Sequence, residues 1–324
     1  MNRKNDSKPF RYGDLSSPLK GFKSIDEQIS LLISRNLLFR DIEAAKAKLR
    51  ECQYYRLTAY RHPFVSPDNK DRFLDGVYFD DIWRLYVFDR RLRFIVMDAI
   101  ERIEVSLRSR WAHILAEKYG ALAYENQELF DERARRNSAH AIPKKIETSK
   151  EPCIRHYVEN GQKVPIWSLC EILTYGELLT LFNSIKARKL KNEILKDFDL
   201  DEKIASSFFN FLRIARNICA HHGRLWNKRL FANIKIPSRP EPLAMSVNYP
   251  DISDSDTEAE KTAKMNAQKS VYNVLVILIF LVGKIAPQSE WKKRLTALIS
   301  SGEKEGYLKE MGFPQDWRSR PVWK

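Results

Sequence analysis

Turn-forming residues are scarce in this sequence. Its 324 residues include only 11 glycines and 14 prolines, fewer than a sandwich or barrel of many short strands needs. Apolar residues make up 44% of the chain and aromatic residues 11%, which is enough to build a buried core. The composition therefore excludes a wholly disordered chain and favours an all-α fold.

Cysteines and long apolar runs are also few. Cys52, Cys153, Cys170 and Cys219 lie far apart with no CxxC pair, which indicates neither a zinc ribbon nor a disulfide framework. With no secretory signal at the N-terminus, this usage predicts a cytoplasmic protein. The longest apolar run, Val274 to Val282, is about half of the roughly 20 residues that cross a bilayer. We expect no membrane span.

Acidic residues are too few to balance the basic ones. Lys and Arg total 56 and Asp and Glu total 42, a net charge of +14. Basic side chains release condensed counterions when they meet phosphates. The surplus therefore predicts a polyanionic partner, with nucleic acid as the first candidate and an anionic membrane surface as the second.

Helical periodicity is the main structural signal. Ser24 and Glu27 have the spacing of a capping box that opens a helix reaching Asn36, and a second helix is expected from Asp41 to about Cys52. From Phe79 to about Tyr119, apolar residues recur every three or four positions with neither Gly nor Pro between them. At 1.5 Å per residue, this segment predicts a helix of about 60 Å, the spine of an all-α domain.

The later segments predict further helices. Expected helical stretches are Ser168–Ile185, Asp201–Ala220 ending near Gly223, about 25 residues ending at Gly283–Lys284, and Trp291–Ile299. The expected organisation is a flexible basic arm (1–23), an N-terminal helical segment (24–77), a helical core (78–232) with a mobile basic insertion at about 124–164, and a C-terminal helical extension (233–324).

The most informative segment runs from Arg216 to Asn227. Arg216, Asn217 and His221 place a fixed cation, an amide and a titratable imidazole within about one and a half helical turns. An arginine there can hold a scissile phosphate bidentately, while a histidine transfers a proton to or from an oxygen. This chemistry suits phosphodiester cleavage and needs no metal and no cofactor.

The Arg-x4-His spacing by itself is weak evidence. It occurs three times, at Arg108/His113, Arg135/His140 and Arg216/His221, which is more often than chance predicts for this composition, and at least one occurrence is accidental. For the last pair the alternative interpretation is a polar patch at a helix C-terminus, where basic side chains interact favourably with the helix dipole.

Several segments, taken together and in order, carry a resemblance. They are Tyr54–Tyr60, Leu85–Arg93, Ala99–Arg108, Pro165–Trp167 and Arg216–Asn227. Across residues 25 to about 232 they resemble the Abi-like family of bacterial abortive-infection proteins, of the AbiD and AbiF type. That family is similar to the HEPN ribonuclease superfamily and to the nuclease domains of RNA-guided type VI CRISPR effectors.

The resemblance implies a fold, an activity and a partner. It implies an all-α helical bundle of HEPN type, metal-independent endoribonuclease activity in antiviral defence, a composite site made by two HEPN units, and association with a small structured non-coding RNA. Carried over by position, Arg216, Asn217 and His221 match the catalytic motif, and His222 also lies within its permitted spacing.

Other residues are candidates for supporting roles. Glu101, Glu104, Arg108 and His113 are either surface groups of the spine helix or groups that face the Arg216 helix and orient it. Arg133, Arg135, Arg136 and Arg224 are candidate RNA-binding residues, although the first three and His140 also fit a solvated charge cluster. Tyr54, Tyr55 and Tyr60 can stack on bases or pack against the spine helix.

Three functions stay open at this point. The leading hypothesis is a toxin-like endoribonuclease that is controlled by a bound RNA and works as a homodimer, because a two-proton reaction needs both a general acid and a general base. In one alternative, Arg108 and His113 supply the second half-site within the same chain. The other hypotheses are a non-catalytic RNA-binding protein and a scaffold that blocks a phage protein.

Overall fold

A computed structural model describes residues 21–324, apart from the side chains of 133–140. The described part of the chain is built from helices, and its only β-type pairings are isolated bridges such as Leu38 with Tyr78. The all-α prediction is therefore confirmed. Most of the expected N-terminal arm, residues 1–20, lies outside the described residues.

The chain divides into two compact units, Met1–Tyr86 and Val87–Lys324. The division falls inside the long helix, nine residues after the expected boundary at residue 77. The first unit holds α1 (Ile25–Ser34), α2 (Ile42–Cys52), α3 (Tyr54–Thr58) and the start of α4 (Phe79–Tyr119).

Local sequence signals set the helices of the first unit. Ser24 Oγ accepts the Glu27 N–H at 3.3 Å, and the Glu27 carboxylate accepts the Ser24 N–H at 2.6 Å, so the capping box is confirmed. Among the three tyrosines, Tyr60 is buried against the Tyr86 ring at 5.5 Å, Tyr54 is half-buried and Tyr55 is 73% exposed. Tyr60 therefore belongs to the core of this unit.

The rest of α4 and all the later helices form the second unit. The later helices are α5 (Glu132–Thr148), α6 (Pro152–Glu159), α7 (Ile166–Ile172), α8 (Tyr175–Ser184), α9 (Arg188–Ile194), α10 (Glu202–Ala220), α11 (Glu241–Ala244), α12 (Glu258–Gln268), α13 (Val271–Ile285) and α14 (Trp291–Lys304). Helix α4 has the predicted bounds, and its apolar stripe, which includes Leu92, Ile103 and Trp111, is fully buried.

The segment 124–164 is helical rather than a mobile insertion. It contains α5 and α6, and it buries Phe130, Ile142, Ile154 and Val164. Helix α5 packs against α8. Each of these helices has one apolar face among many charged residues. Composition alone does not show such a face, so it favoured a solvated insertion.

Two predicted helices are divided in the structure. The stretch 168–185 breaks between α7 and α8, because Thr174 caps α8 by accepting the Glu177 N–H while its own N–H bonds the Glu177 carboxylate at 2.7 Å. The predicted 25-residue helix is likewise divided into α12 and α13.

The stretch Glu258–Ile285 is long and apolar enough to cross a membrane by length and composition. However, 78% of its most apolar window is buried inside the protein, and every residue from Val271 to Val282 is buried. Packing of this kind is that of a core helix, in agreement with the expected absence of a membrane span.

Candidate functional site

Arg216, Asn217 and His221 lie at the C-terminal end of α10. The helix begins at Asp201, whose carboxylate accepts the N–H groups of Lys203 and Ile204 at 2.8 and 3.2 Å. Its predicted apolar stripe is buried in full and consists of Ile204, Phe208, Phe211, Leu212, Ala215 and Cys219. Burial of this stripe leaves Arg216 and Asn217 half-buried at the surface.

The end of α10 is closed by a left-handed residue. The His222 N–H bonds the Cys219 carbonyl at 3.0 Å, and the Gly223 N–H bonds the Ile218 carbonyl at 2.8 Å, the pattern of a Schellman motif. His222, with φ of 56°, takes the left-handed position that usually holds glycine. Such a conformation is strained for a residue with a Cβ.

Gly223 does not take the left-handed position, but it lies too close to the end of α10 for a side chain. A Cβ at this position would lie 3.2 Å from the Ile218 carbonyl oxygen, closer than side chains normally approach. The helix therefore ends where the sequence predicted, but His222 makes the turn and Gly223 allows the close approach. The rings of His221 and His222 are exposed, and Arg224 is half-buried just beyond the turn.

A buried carboxylate on α4 holds the chain that follows this turn. Asp89 accepts the backbone N–H groups of Leu225 at 3.1 Å and Trp226 at 2.6 Å, and it pairs with Arg93. Trp226 is buried and donates its indole N–H to the Tyr307 carbonyl at 3.0 Å. Both side chains of the Asp89–Arg93 pair are buried.

Arg216 lies at ion-pair distance from Glu104. The Nε of Arg216 lies 4.0 Å from Oε2 of Glu104, whose side chain is 12% exposed, while the Arg216 side chain is 36% exposed. The two terminal nitrogens of Arg216 contact no partner among the described residues. The Nε of the guanidinium therefore faces Glu104, and the two terminal nitrogens, Nη1 and Nη2, are available to bind a ligand.

Arg108 holds Glu104 from the other side. Its Nη2 lies 2.5 Å from Oε1 of Glu104 and 2.7 Å from the carbonyl oxygen of Leu173. Its Nη1 donates to the Glu171 carbonyl at 3.4 Å. Arg108 therefore links α4 to the turn between α7 and α8.

The supporting candidates do not all reach the site. The structure brings Glu104 to Arg216, and brings Arg108 there through Glu104. Glu101 and His113 are exposed on α4 and contact none of the described site residues. Arg133, Arg135, Arg136 and His140 fall within α5, where their side chains lie outside the described part of the chain.

Tyr175 and Arg213 were not among the residues predicted from the sequence. Tyr175 is fully buried, and its hydroxyl has no hydrogen-bond partner among the described residues. Burial, with a smaller contribution from the charge of Glu104, raises the pKa of this phenol. Arg213 lies on α10 one turn before Arg216, and this spacing was the one signal that could have indicated it.

The described residues contain no group of three or more His, Cys, Asp or Glu side chains that could hold a metal ion. The polar groups near one another here are instead the cation, amide and imidazole of the Arg216–His221 stretch, together with the Glu104 carboxylate that pairs with Arg216 and with Arg108. This set can bind an oxyanion and move a proton.

A family model described as Abi-like protein matches residues 47–227 of the chain. The matched region includes α4, Glu104, Arg108 and the whole of the Arg216–Asn227 segment. No curated protein and no solved structure matches the chain.

Proposed function

Because the chain belongs to the Abi-like protein family, we propose that it acts in abortive infection against bacteriophage as a cytoplasmic, metal-independent endoribonuclease of HEPN type. One observation carries this proposal. The Arg216 guanidinium lies 4.0 Å at Nε from the buried Glu104 carboxylate, and its terminal nitrogens have no partner among the described residues; it is about one and a half turns from the exposed imidazole of His221.

The reaction follows from these groups. Arg216 binds the scissile phosphate through its two terminal nitrogens and stabilises the extra negative charge of the transition state. His221 removes the proton of the ribose 2′-hydroxyl or protonates the leaving 5′-oxygen. The 2′-oxygen attacks phosphorus as the P–O5′ bond breaks, which yields a 2′,3′-cyclic phosphate and a 5′-hydroxyl. Asn217 supplies an amide beside the same phosphate.

One copy of the motif has a single titratable group for two proton transfers. A homodimer that brings two copies together across a two-fold axis would supply both an acid and a base. The geometry weighs against the intramolecular alternative, because Arg108 is already engaged by Glu104 and two carbonyl oxygens. The exposed His113 has no contact with the described site residues.

RNA is the proposed partner as well as the substrate. The net charge of +14 favours a polyanion, and we place contacts to it at Arg224 and at Arg133, Arg135 and Arg136 of α5. A small structured non-coding RNA would hold the nuclease in check until infection.

The test is RNA cleavage by the purified full-length protein in the presence of EDTA. Arg216→Ala and His221→Ala should each lower the cleavage rate by about 10²-fold or more. Arg216→Lys should lose most of the activity, because it keeps the charge and loses the bidentate geometry. His156→Ala, which removes an exposed histidine on α6, is the matched control and should leave the rate unchanged. An activity abolished by EDTA and restored by magnesium would refute this mechanism.

A second candidate rests on the basic surplus. The same residues can grip a phosphate without cleaving it, in a non-catalytic RNA-binding protein that also acts in phage defence. In that case the wild-type protein binds RNA and never cuts it, and Arg216→Ala weakens binding alone.

A further inference from the structure

A cleft of about 640 Å³ opens beside α10, between α5 and α8. We call it the α8–α10 cleft, and its lining includes Lys145, Thr180, Asn183, Asn210 and Arg213. Its volume lies in the range of sites that enclose a small molecule or one residue of a larger ligand. Apolar side chains, Ile142 and Leu173 among them, complete its walls.

We propose that the α8–α10 cleft is a subsite for a nucleobase of single-stranded RNA, that of the nucleotide next to the scissile phosphate. The inference rests on the function proposed above for Arg216. Residues three or four apart on a helix are surface neighbours, about 5–6 Å between Cβ atoms, and Arg213 lies at this spacing from both Arg216 and Asn217. A strand held by its phosphate at Arg216 therefore brings the adjoining nucleoside to Arg213.

The Arg213 guanidinium is oriented for a planar ligand. Asn210 Oδ1 accepts hydrogen bonds from Arg213 Nη2 at 2.9 Å and from Nε at 3.3 Å. The remaining nitrogen, Nη1, has no partner among the described residues. A guanidinium fixed in this way can stack on a base and donate to its edge.

The charges of the cleft favour a base over a second phosphate. The Lys145 ammonium lies 2.7 Å from the Glu177 carboxylate, so these two charges compensate each other. Arg213 is then the one lining cation without a carboxylate partner among the described residues. The amide of Asn183 can donate to or accept from a base edge, and Thr180 Oγ1, which donates to the Gly176 carbonyl at 2.9 Å, can still accept from one; the apolar walls suit a base face.

Gly176 keeps one side of the cleft open. On α8 the residues Gly176, Thr180 and Asn183 follow at helical spacing along the cleft. A Cβ at Gly176 would lie 3.7 Å from Cδ of Arg213, in ordinary contact, so a longer side chain would extend beside Arg213 into the space.

The experiment measures equilibrium binding to the full-length His221→Ala protein by fluorescence anisotropy. The probes are short labelled single-stranded oligo(A), oligo(C) and oligo(U). The parent should prefer one of the three. Adding Arg213→Ala should weaken binding to the preferred probe about tenfold or more and bring the three affinities together. Gly176→Met should have the same effect by filling the cleft while leaving every charge in place.

Lys203→Ala is the matched control, because it removes one exposed positive charge from the first turn of the same helix. It should weaken binding to all three probes slightly and equally. Circular dichroism melts verify that each variant is folded. If Gly176→Met is unfolded, the binding data for Arg213→Ala alone test the proposed subsite.

The inference is wrong if the parent binds none of the probes or binds all three equally, or if Arg213→Ala behaves as Lys203→Ala does. Binding to a folded Gly176→Met protein that equals binding to the parent would also overturn it. All of these measurements record binding by the His221→Ala protein, so they do not depend on RNA cleavage. Failure of the proposed nuclease function would show separately, as a wild-type protein that cuts no RNA.

Discussion

The carboxylate of Glu104 joins two arginines of different elements, with Oε1 at 2.5 Å from Arg108 Nη2 and Oε2 at 4.0 Å from Arg216 Nε. The Glu104 side chain is 12% exposed, so it is shielded from solvent and acts on both cations at short range. This one side chain thus links α4 to the arginine proposed to bind the scissile phosphate.

Glu104→Gln should therefore lower RNA cleavage about tenfold or more, because the amide keeps the shape and loses the charge that holds Arg216. The RNA cleavage rate of the purified protein checks it. Glu101→Gln, at an exposed position on the same helix, is the control and should leave the rate unchanged. Equal rates for the two variants would show that Glu104 does not position Arg216.

A composite dimeric site predicts dominant inactivation. When equal amounts of wild-type and His221→Ala protein exchange subunits, about a quarter of the dimers are fully wild type. The cleavage rate should therefore fall well below half of the rate of the same total amount of wild-type protein. Mixing with His156→Ala should cause no loss. A protein that sediments as a monomer at working concentration and still cleaves RNA would contradict the dimeric site.

Asp89→Asn should destabilise the protein strongly. It removes the negative charge that Asp89 sets beside the buried Arg93 and weakens the acceptor for the Leu225 and Trp226 N–H groups. The expected loss in the free energy of unfolding is about 3–5 kcal/mol, measured by urea denaturation. Glu159→Gln, in a surface pair with Arg155 whose carboxylate is 62% exposed, should cost under about 1 kcal/mol. Equal losses would refute a special role for the buried pair.

The cysteines should differ sharply in reactivity. Burial raises the pKa of Cys170 and Cys219 to about 12, whereas Cys153 is exposed. At pH 8 an alkylating reagent should label Cys153 and spare the other two, as read by mass spectrometry of peptides. Labelling of Cys219 in the folded protein would contradict its burial.

The same thiols should make stability depend on pH. The unfolded chain loses these protons near pH 8.5, while the folded chain keeps them up to about pH 12. The folded state thus binds more protons between these values, so the free energy of unfolding falls as pH rises above about 8.5. Cys170→Ser and Cys219→Ser together should reduce this fall in urea titrations.

Local features of the chain were predictable from the sequence. The bounds of α4, the Ser24 capping box and the apolar stripe of α10 depend on residues within a few positions of one another, so periodicity and capping reveal them. The same holds for the end of α10 near Gly223. The candidate residues Arg216, Asn217 and His221 are also adjacent in sequence and could be found as a motif.

Contacts between distant residues could not be predicted in this way. Glu101 and Glu104 are one turn apart on α4, and nothing local tells which of them meets Arg216. Asp89 bonds the Trp226 backbone across 137 residues, and α5 owes its place to an apolar face that its charges conceal. Most helices and the motif follow from local spacing and could be read from the chain. Which carboxylate meets the arginine depends on how α4 and α10 pack, so it emerges only in the folded protein.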